Sequence, residues 1–142
     1  MDSIYTLDQT NEIANQLVQQ YASNTVWVFQ APMGAGKTTL IAAIGKAMGI
    51  QEAMSSPTFS IMNEYEVQGK LIYHMDWYRL ENEAEARQAG VEAALEESDM
   101  SLVEWPEKAP NMVPDNAVWI HIEILDPSRR RIYINHEMTA LD

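Results

Sequence analysis

A chain of 142 residues that is 46% hydrophobic, with four Trp and six Tyr, fits one domain with a real core and has no room for a second catalytic domain. Nine Lys and Arg against 21 Asp and Glu give a net charge of −12, so the surface alone repels DNA, RNA and anionic membranes, and any RNA role needs another protein to hold the RNA. With no Cys, disulfides, thiol catalysis and Cys-ligated zinc are excluded; with neither a signal-peptide pattern at Met1-Asp-Ser-Ile-Tyr-Thr nor a long apolar run, a cytoplasmic location is expected.

In chain order, Thr6-Leu-Asp-Gln9 has the form of a capping box and opens a helix with the apolar stripe Ile13, Ala14, Leu17, Val18 and Tyr21. Thr25 to Ala31, carrying Val26, Trp27, Val28 and Phe29, reads as a buried strand. Pro32-Met-Gly-Ala-Gly-Lys-Thr-Thr39 follows it, and Leu40, Ile41, Ile44, Ala47 and Met48 then recur at helical spacing up to Gly49, a natural terminator. Strand, glycine-rich turn and helix start form the context of a phosphate-binding loop. Gly34 and Gly36 allow backbone N–H groups to curl around phosphate oxygens, and the positive helix end favours the anion. Lys37 reaches the outer phosphates and the Thr38 hydroxyl suits Mg²⁺. Ala31 stands where the usual pattern begins with Gly.

Ser55-Ser-Pro-Thr58 reads as a loop, and Phe59 to Val67 and Lys70 to Asp76 as two strands around Gln68-Gly69, a hairpin. Glu81 to Glu97 reads as two short helices divided at Gly90, with an exposed acidic face. Met100 to Val103 is a short strand ending at Glu104, and a loop with Pro106, Pro110 and Pro114 leads to a final strand pair, Ala117 to Leu125 and Arg131 to Asn135, around Asp126-Pro-Ser128. The expected fold is α/β: a P-loop NTPase-like three-layer sandwich with a mixed, partly parallel sheet, as one phosphate-loop domain over residues 1–142.

A nucleotide-bound Mg²⁺ needs oxygen ligands, few of them from protein. Asp76 and Glu104 end apolar strands, where both face the loop if those strands run parallel to its own; otherwise they mark acidic strand ends. His74 shares a strand face with Asp76 and suits orienting that carboxylate or closing the core better than ligating metal, since His121 and His136 lack ligand spacing. Trp105 stacks on a base or packs in the core. Arg129, Arg130 and Arg131 concentrate positive charge in one turn, for a nucleotide, an acidic partner or solvent. Two other functions use the same loop: a small-molecule kinase, for which no basic lid segment is visible, and a nucleotide-sensing adaptor that does not depend on hydrolysis. A GTPase would need an Asn-Lys-x-Asp type segment, and none is found.

Together, Met33-Gly-Ala-Gly-Lys-Thr-Thr39, Ser56-Pro-Thr-Phe59 with Glu64-Tyr65, His74-Met-Asp-Trp-Tyr-Arg-Leu80, Gly90 and Val103-Glu-Trp-Pro106 resemble one family, the bacterial tRNA threonylcarbamoyladenosine biosynthesis ATPases called TsaE, over roughly residues 6 to 106. The resemblance implies an Mg²⁺-dependent ATPase working with a two-protein complex of the TsaD and TsaB type. That complex attaches threonylcarbamoyl to adenosine 37 of tRNAs reading codons that begin with A, and tRNA is reached only through it. By the same resemblance Gly34, Ala35, Gly36, Lys37, Thr38 and Thr39 hold ATP, Thr38 and Glu104 serve the metal, and Lys37, Asp76 and Glu104 form the catalytic set. Ser56, Pro57 and Thr58 match a switch-like loop in which Thr58 senses the γ-phosphate; Tyr78 and Arg79 match as well. Ala31-Pro32 replaces the family's common Gly-Asp, and Trp77 replaces a commoner aliphatic residue.

Overall fold

The computed structural model describes residues 1–57 and 60–138. Seven strands form one sheet: β1 (Asp2–Thr6), β2 (Val26–Gln30), β3 (Met62–Val67), β4 (Lys70–Asp76), β5 (Met100–Glu104), β6 (Val118–Ile124) and β7 (Arg129–Asn135). Their order is β1-β7-β6-β2-β5-β4-β3. The four inner strands β6, β2, β5 and β4 run parallel, and antiparallel partners close both margins: β7 and β1 on one side, β3 on the other. The mixed, partly parallel sheet expected from the strand and helix alternation is therefore present.

Strand periodicity sorts side chains onto two cores. From β2, Trp27 and Phe29 enter one cluster with Ile13 and Leu17 of α1 (Thr10–Tyr21) and Leu40, Ile41 and Ile44 of α2 (Lys37–Ala47). Val26 and Val28 enter the other, with Ala86 of α3 (Glu83–Gln88) and Val91, Ala94 and Leu95 of α4 (Val91–Glu97). Helices thus cover both faces, and β2, buried at every position, is the continuous apolar run that a central parallel strand requires.

Two expectations need correction, and one strand lies outside them. β1 was not anticipated, because Tyr5 is its single buried residue and no alternation announces the strand. The Thr6 capping box exists, but it opens a short 3-10 turn at Leu7–Gln9 ahead of α1. The final strand starts at Arg129, so the three arginines lie within β7, not in a turn. The hairpin strand β3 begins at Met62, and the expected start at Phe59 lies outside the described residues.

Candidate functional site

The loop leaves β2 at Gln30 and enters α2 at Lys37. Gly34 (φ +79°) and Gly36 (φ +92°) hold the left-handed conformation that side-chain-bearing residues adopt only with strain. Ala35 N–H donates to Pro32 O at 3.2 Å, which closes the turn. The Lys37 side chain is buried. Its Nζ donates to Ala31 O at 3.2 Å and stands 3.6 Å from the centroid of the Trp105 ring. Burial pushes this ammonium below the ordinary lysine range, against the opposing pull of the Glu104, Glu107 and Asp76 carboxylates.

Parallel pairing places the carboxylates. Phe29 of β2 and Asp76 of β4 both pair with Glu104 of β5, so the carboxyl ends of three adjacent strands line up beside the loop, where ligands gather in open α/β sheets. Glu104 is 3% exposed. Its Oε2 lies 2.8 Å from His74 Nε2, and its Oε1 accepts from Thr38 Oγ1 at 3.4 Å. Ser56 Oγ lies 3.2 Å from the same Thr38 hydroxyl. Asp76 Oδ1 accepts from Tyr78 N–H at 2.9 Å, which fixes the carboxylate at the strand end. Trp105 takes a left-handed backbone (φ +58°), and its ring lies against Lys37 on one side and Tyr78 on another, at 5.0 Å between ring centroids.

These groups enclose a cavity of about 470 Å³ between the loop, Ser56, Asp76, Tyr78, Glu104 and Trp105, and every loop residue from Gly34 to Thr39 lines it. A second cavity of about 910 Å³ begins at Thr39, which borders both, and runs between α2 and the segment from Leu7 to Asn11. The donor set of the first cavity consists of hydroxyl and carboxylate oxygens, which suits a hard cation such as Mg²⁺. Among the described residues no group of three His, Cys, Asp or Glu is able to hold a metal by itself, so a cation here would take much of its shell from phosphate and water.

The structure thus brings Lys37, Thr38, Asp76, Glu104 and Ser56 together. Two candidates are reassigned. His74 orients Glu104, not Asp76. The arginine cluster divides: Arg129 pairs with Asp126, Arg131 with Asp2 and Glu123, and Arg130 turns inward onto the loop's own carbonyls. Thr58 lies outside the described residues. Behind the site, half-buried Glu107 is raised by burial above the usual carboxylate range against the pull of Lys37, Lys108 and His121; it does not line the cavity, and no motif announces it.

Comparison with known proteins identifies the family of the chain. The family model described as "Threonylcarbamoyl adenosine biosynthesis protein TsaE" matches residues 4–132. Two curated relatives bear the name "tRNA threonylcarbamoyladenosine biosynthesis protein TsaE". The one from Synechocystis is 40% identical over 111 residues, 75% of this chain and 69% of the relative. The one from Haemophilus influenzae is 31% identical over 119 residues, 83% of this chain and 75% of the relative. A crystal structure of Bacillus subtilis YdiB shares the fold, with a TM-score of 0.73 at 22% identity over 96% of this chain and 85% of that one. The chain belongs to the TsaE family.

Proposed function

We propose that this TsaE-family chain serves tRNA threonylcarbamoyladenosine biosynthesis as an Mg²⁺-dependent ATPase, acting with a two-protein TsaD and TsaB type complex that holds the tRNA. The observation that carries the reading is the meeting of Thr38 and Glu104 at the end of a left-handed glycine loop whose lysine is already buried in the site. In this reading the N–H groups of Gly34 to Thr39 receive the phosphates, and Lys37 exchanges its contact with Ala31 O for the outer phosphate oxygens. Thr38 Oγ1 and Glu104 would hold Mg²⁺, which when bound neutralises phosphate charge. Asp76, fixed by Tyr78 N–H, stands beside them to orient water. Catalysis is then positioning and charge stabilisation, with no covalent intermediate on the protein.

The larger cavity, which shares Thr39 with the first, would take the sugar and base along Ala42, Ala43 and Leu7. The charge of −12 supports docking on a positively charged complex and not on tRNA directly. Among the described residues no helix is long and apolar enough to cross a membrane; the cytoplasmic location is part of the proposal and rests on the family's place in tRNA modification.

The deciding experiment measures ATP hydrolysis and threonylcarbamoyladenosine formation by the chain alone, with the partner complex, and with the complex and tRNA. Phosphate release stimulated by the complex, with modified tRNA accumulating over repeated cycles, is the expected result. Transfer of phosphate to a small acceptor would establish a kinase instead. Full tRNA modification by a hydrolysis-dead, nucleotide-binding variant would establish an adaptor.

A further inference from the structure

Arg130 is 6% exposed and points from β7 into the back of the loop. Its Nε donates to Ala35 O at 3.0 Å, its Nη2 lies 3.5 Å from Gly34 O, and its Nη1 donates to Asp126 O at 2.7 Å and Arg129 O at 3.0 Å. All four acceptors are backbone carbonyls. Among the described residues no carboxylate pairs with Arg130, whereas Arg129 and Arg131 on either side each hold one. The fork therefore joins the β6–β7 turn to the middle of the phosphate loop. The same turn grips the loop's other flank: Ser128 O accepts from Leu7 N–H at 3.2 Å, and Leu7 Cδ2 lies 3.9 Å from where a Cβ on Gly36 would be.

Two physical consequences meet here. A loop that turns successive N–H groups toward an anion must turn the intervening carbonyls away, and those carbonyls need donors when buried. A buried guanidinium without a carboxylate carries a large desolvation penalty, which an anion on the far side of the loop would offset. Arg supplies both requirements; Lys, with a single compact ammonium, supplies the charge without the fork.

We propose that Arg130 is a positioning residue for phosphate binding, holding the outer carbonyls of Gly34 and Ala35 so that the loop's N–H groups stay directed at the phosphates, and placing behind them a fixed positive charge that no carboxylate cancels. The inference rests on the phosphate-site reading above. Arg130 is not in the arrangement to touch nucleotide; it acts through the loop.

The probe is inorganic pyrophosphate, which engages the loop without sugar or base, titrated calorimetrically well below each variant's unfolding midpoint. Arg130→Lys should bind it roughly tenfold more weakly than wild type, and Arg130→Met on the order of a hundredfold, the range set by one or two charge-assisted hydrogen bonds. Arg131→Met, on the same strand but paired with Asp2 and Glu123 at the surface, should bind as wild type does. If Arg130→Met does not fold, Arg130→Lys decides alone. Wild-type pyrophosphate affinity in Arg130→Lys, even with a lowered unfolding midpoint, would mean a purely structural arginine and overturn the proposal. If wild type itself fails to bind pyrophosphate, the phosphate-site reading falls first and this one with it.

Discussion

His74 Nε2 and Glu104 Oε2 are 2.8 Å apart across the adjacent parallel strands β4 and β5, both closed off from solvent. The imidazole occupies one carboxylate oxygen and leaves the other turned to Thr38. The histidine is thus a brace for the carboxylate nearest the loop.

Glu104→Gln keeps the shape of this side chain and removes its charge. Phosphate release in the presence of the partner complex should slow by roughly 10²-fold or more, while the amide oxygen still offers Mg²⁺ a neutral ligand and ATP affinity falls far less than the rate. His74→Leu, which removes the brace and keeps the bulk, should lower kcat more than it alters KM. Steady-state hydrolysis by both variants is the check, and wild-type rates in Glu104→Gln would reduce Glu104 to a structural strand end.

Lys37→Ala and Thr38→Ala should fail in different ways. The first removes the loop's mobile positive charge, and ATP binding should be lost with or without Mg²⁺. The second removes an oxygen ligand only, so binding should weaken in Mg²⁺ while affinity in the presence of a chelator stays close to wild type. Parallel titrations with Mg²⁺ and with chelator separate the two, and equal losses for Thr38→Ala under both conditions would remove Thr38 from the metal site.

Acid stability should depend on Asp126. The Arg129 guanidinium, followed by the Ser128 N–H, holds its carboxyl down to about 2 from an ordinary 3.8. A carboxyl lowered by folding contributes stability above its unfolded value and loses it as pH falls toward the folded one. The difference in thermal midpoint between wild type and Asp126→Asn should therefore be constant above about pH 5 and shrink between about pH 4 and pH 2. Melting curves across that range test the assignment, and a gap independent of pH would show that Arg129 does not hold the charged form.

Leu40 is fully buried in the first turns of α2, packed in the cluster beneath the loop. Leu40→Ala should lower unfolding free energy by about 2–5 kcal/mol, from lost transfer energy plus the cavity left behind. Urea denaturation gives the value; a loss under about 1 kcal/mol would mean that the core beneath the loop collapses to fill the space.

The sequence was most legible where residue type and backbone geometry answer to the same need. Gly34 and Gly36 are present because the loop takes positive φ, and β2 reads as apolar because both of its faces are covered. Asp76 and Glu104 were identifiable as strand ends, but their nearness to Thr38 depends on parallel pairing, which side-chain alternation does not specify. Arg130 was hidden for a related reason. A run of three arginines reads as one unit, for a nucleotide, an acidic partner or solvent, and only the pleat of β7 turns the middle one inward, with Ile132 and away from Arg129 and Arg131. β1 escaped notice because a margin strand with one buried side chain carries almost no pattern.

The parallel pairing of β2 also governs when the site can exist. Val26 pairs with Ser101 and Trp27 with Val118, partners that follow β2 by most of the chain, while the hairpin β3–β4 between them closes locally. Contacts of such sequence separation carry the full entropy of loop closure and form late. The glycine loop is synthesised early yet cannot acquire its carboxylates before β5 docks, or its arginine before β7 does. Refolding followed by nucleotide binding should consequently lag behind refolding followed by the helical signal, and coincident kinetics would show that helices, sheet and site form in one step.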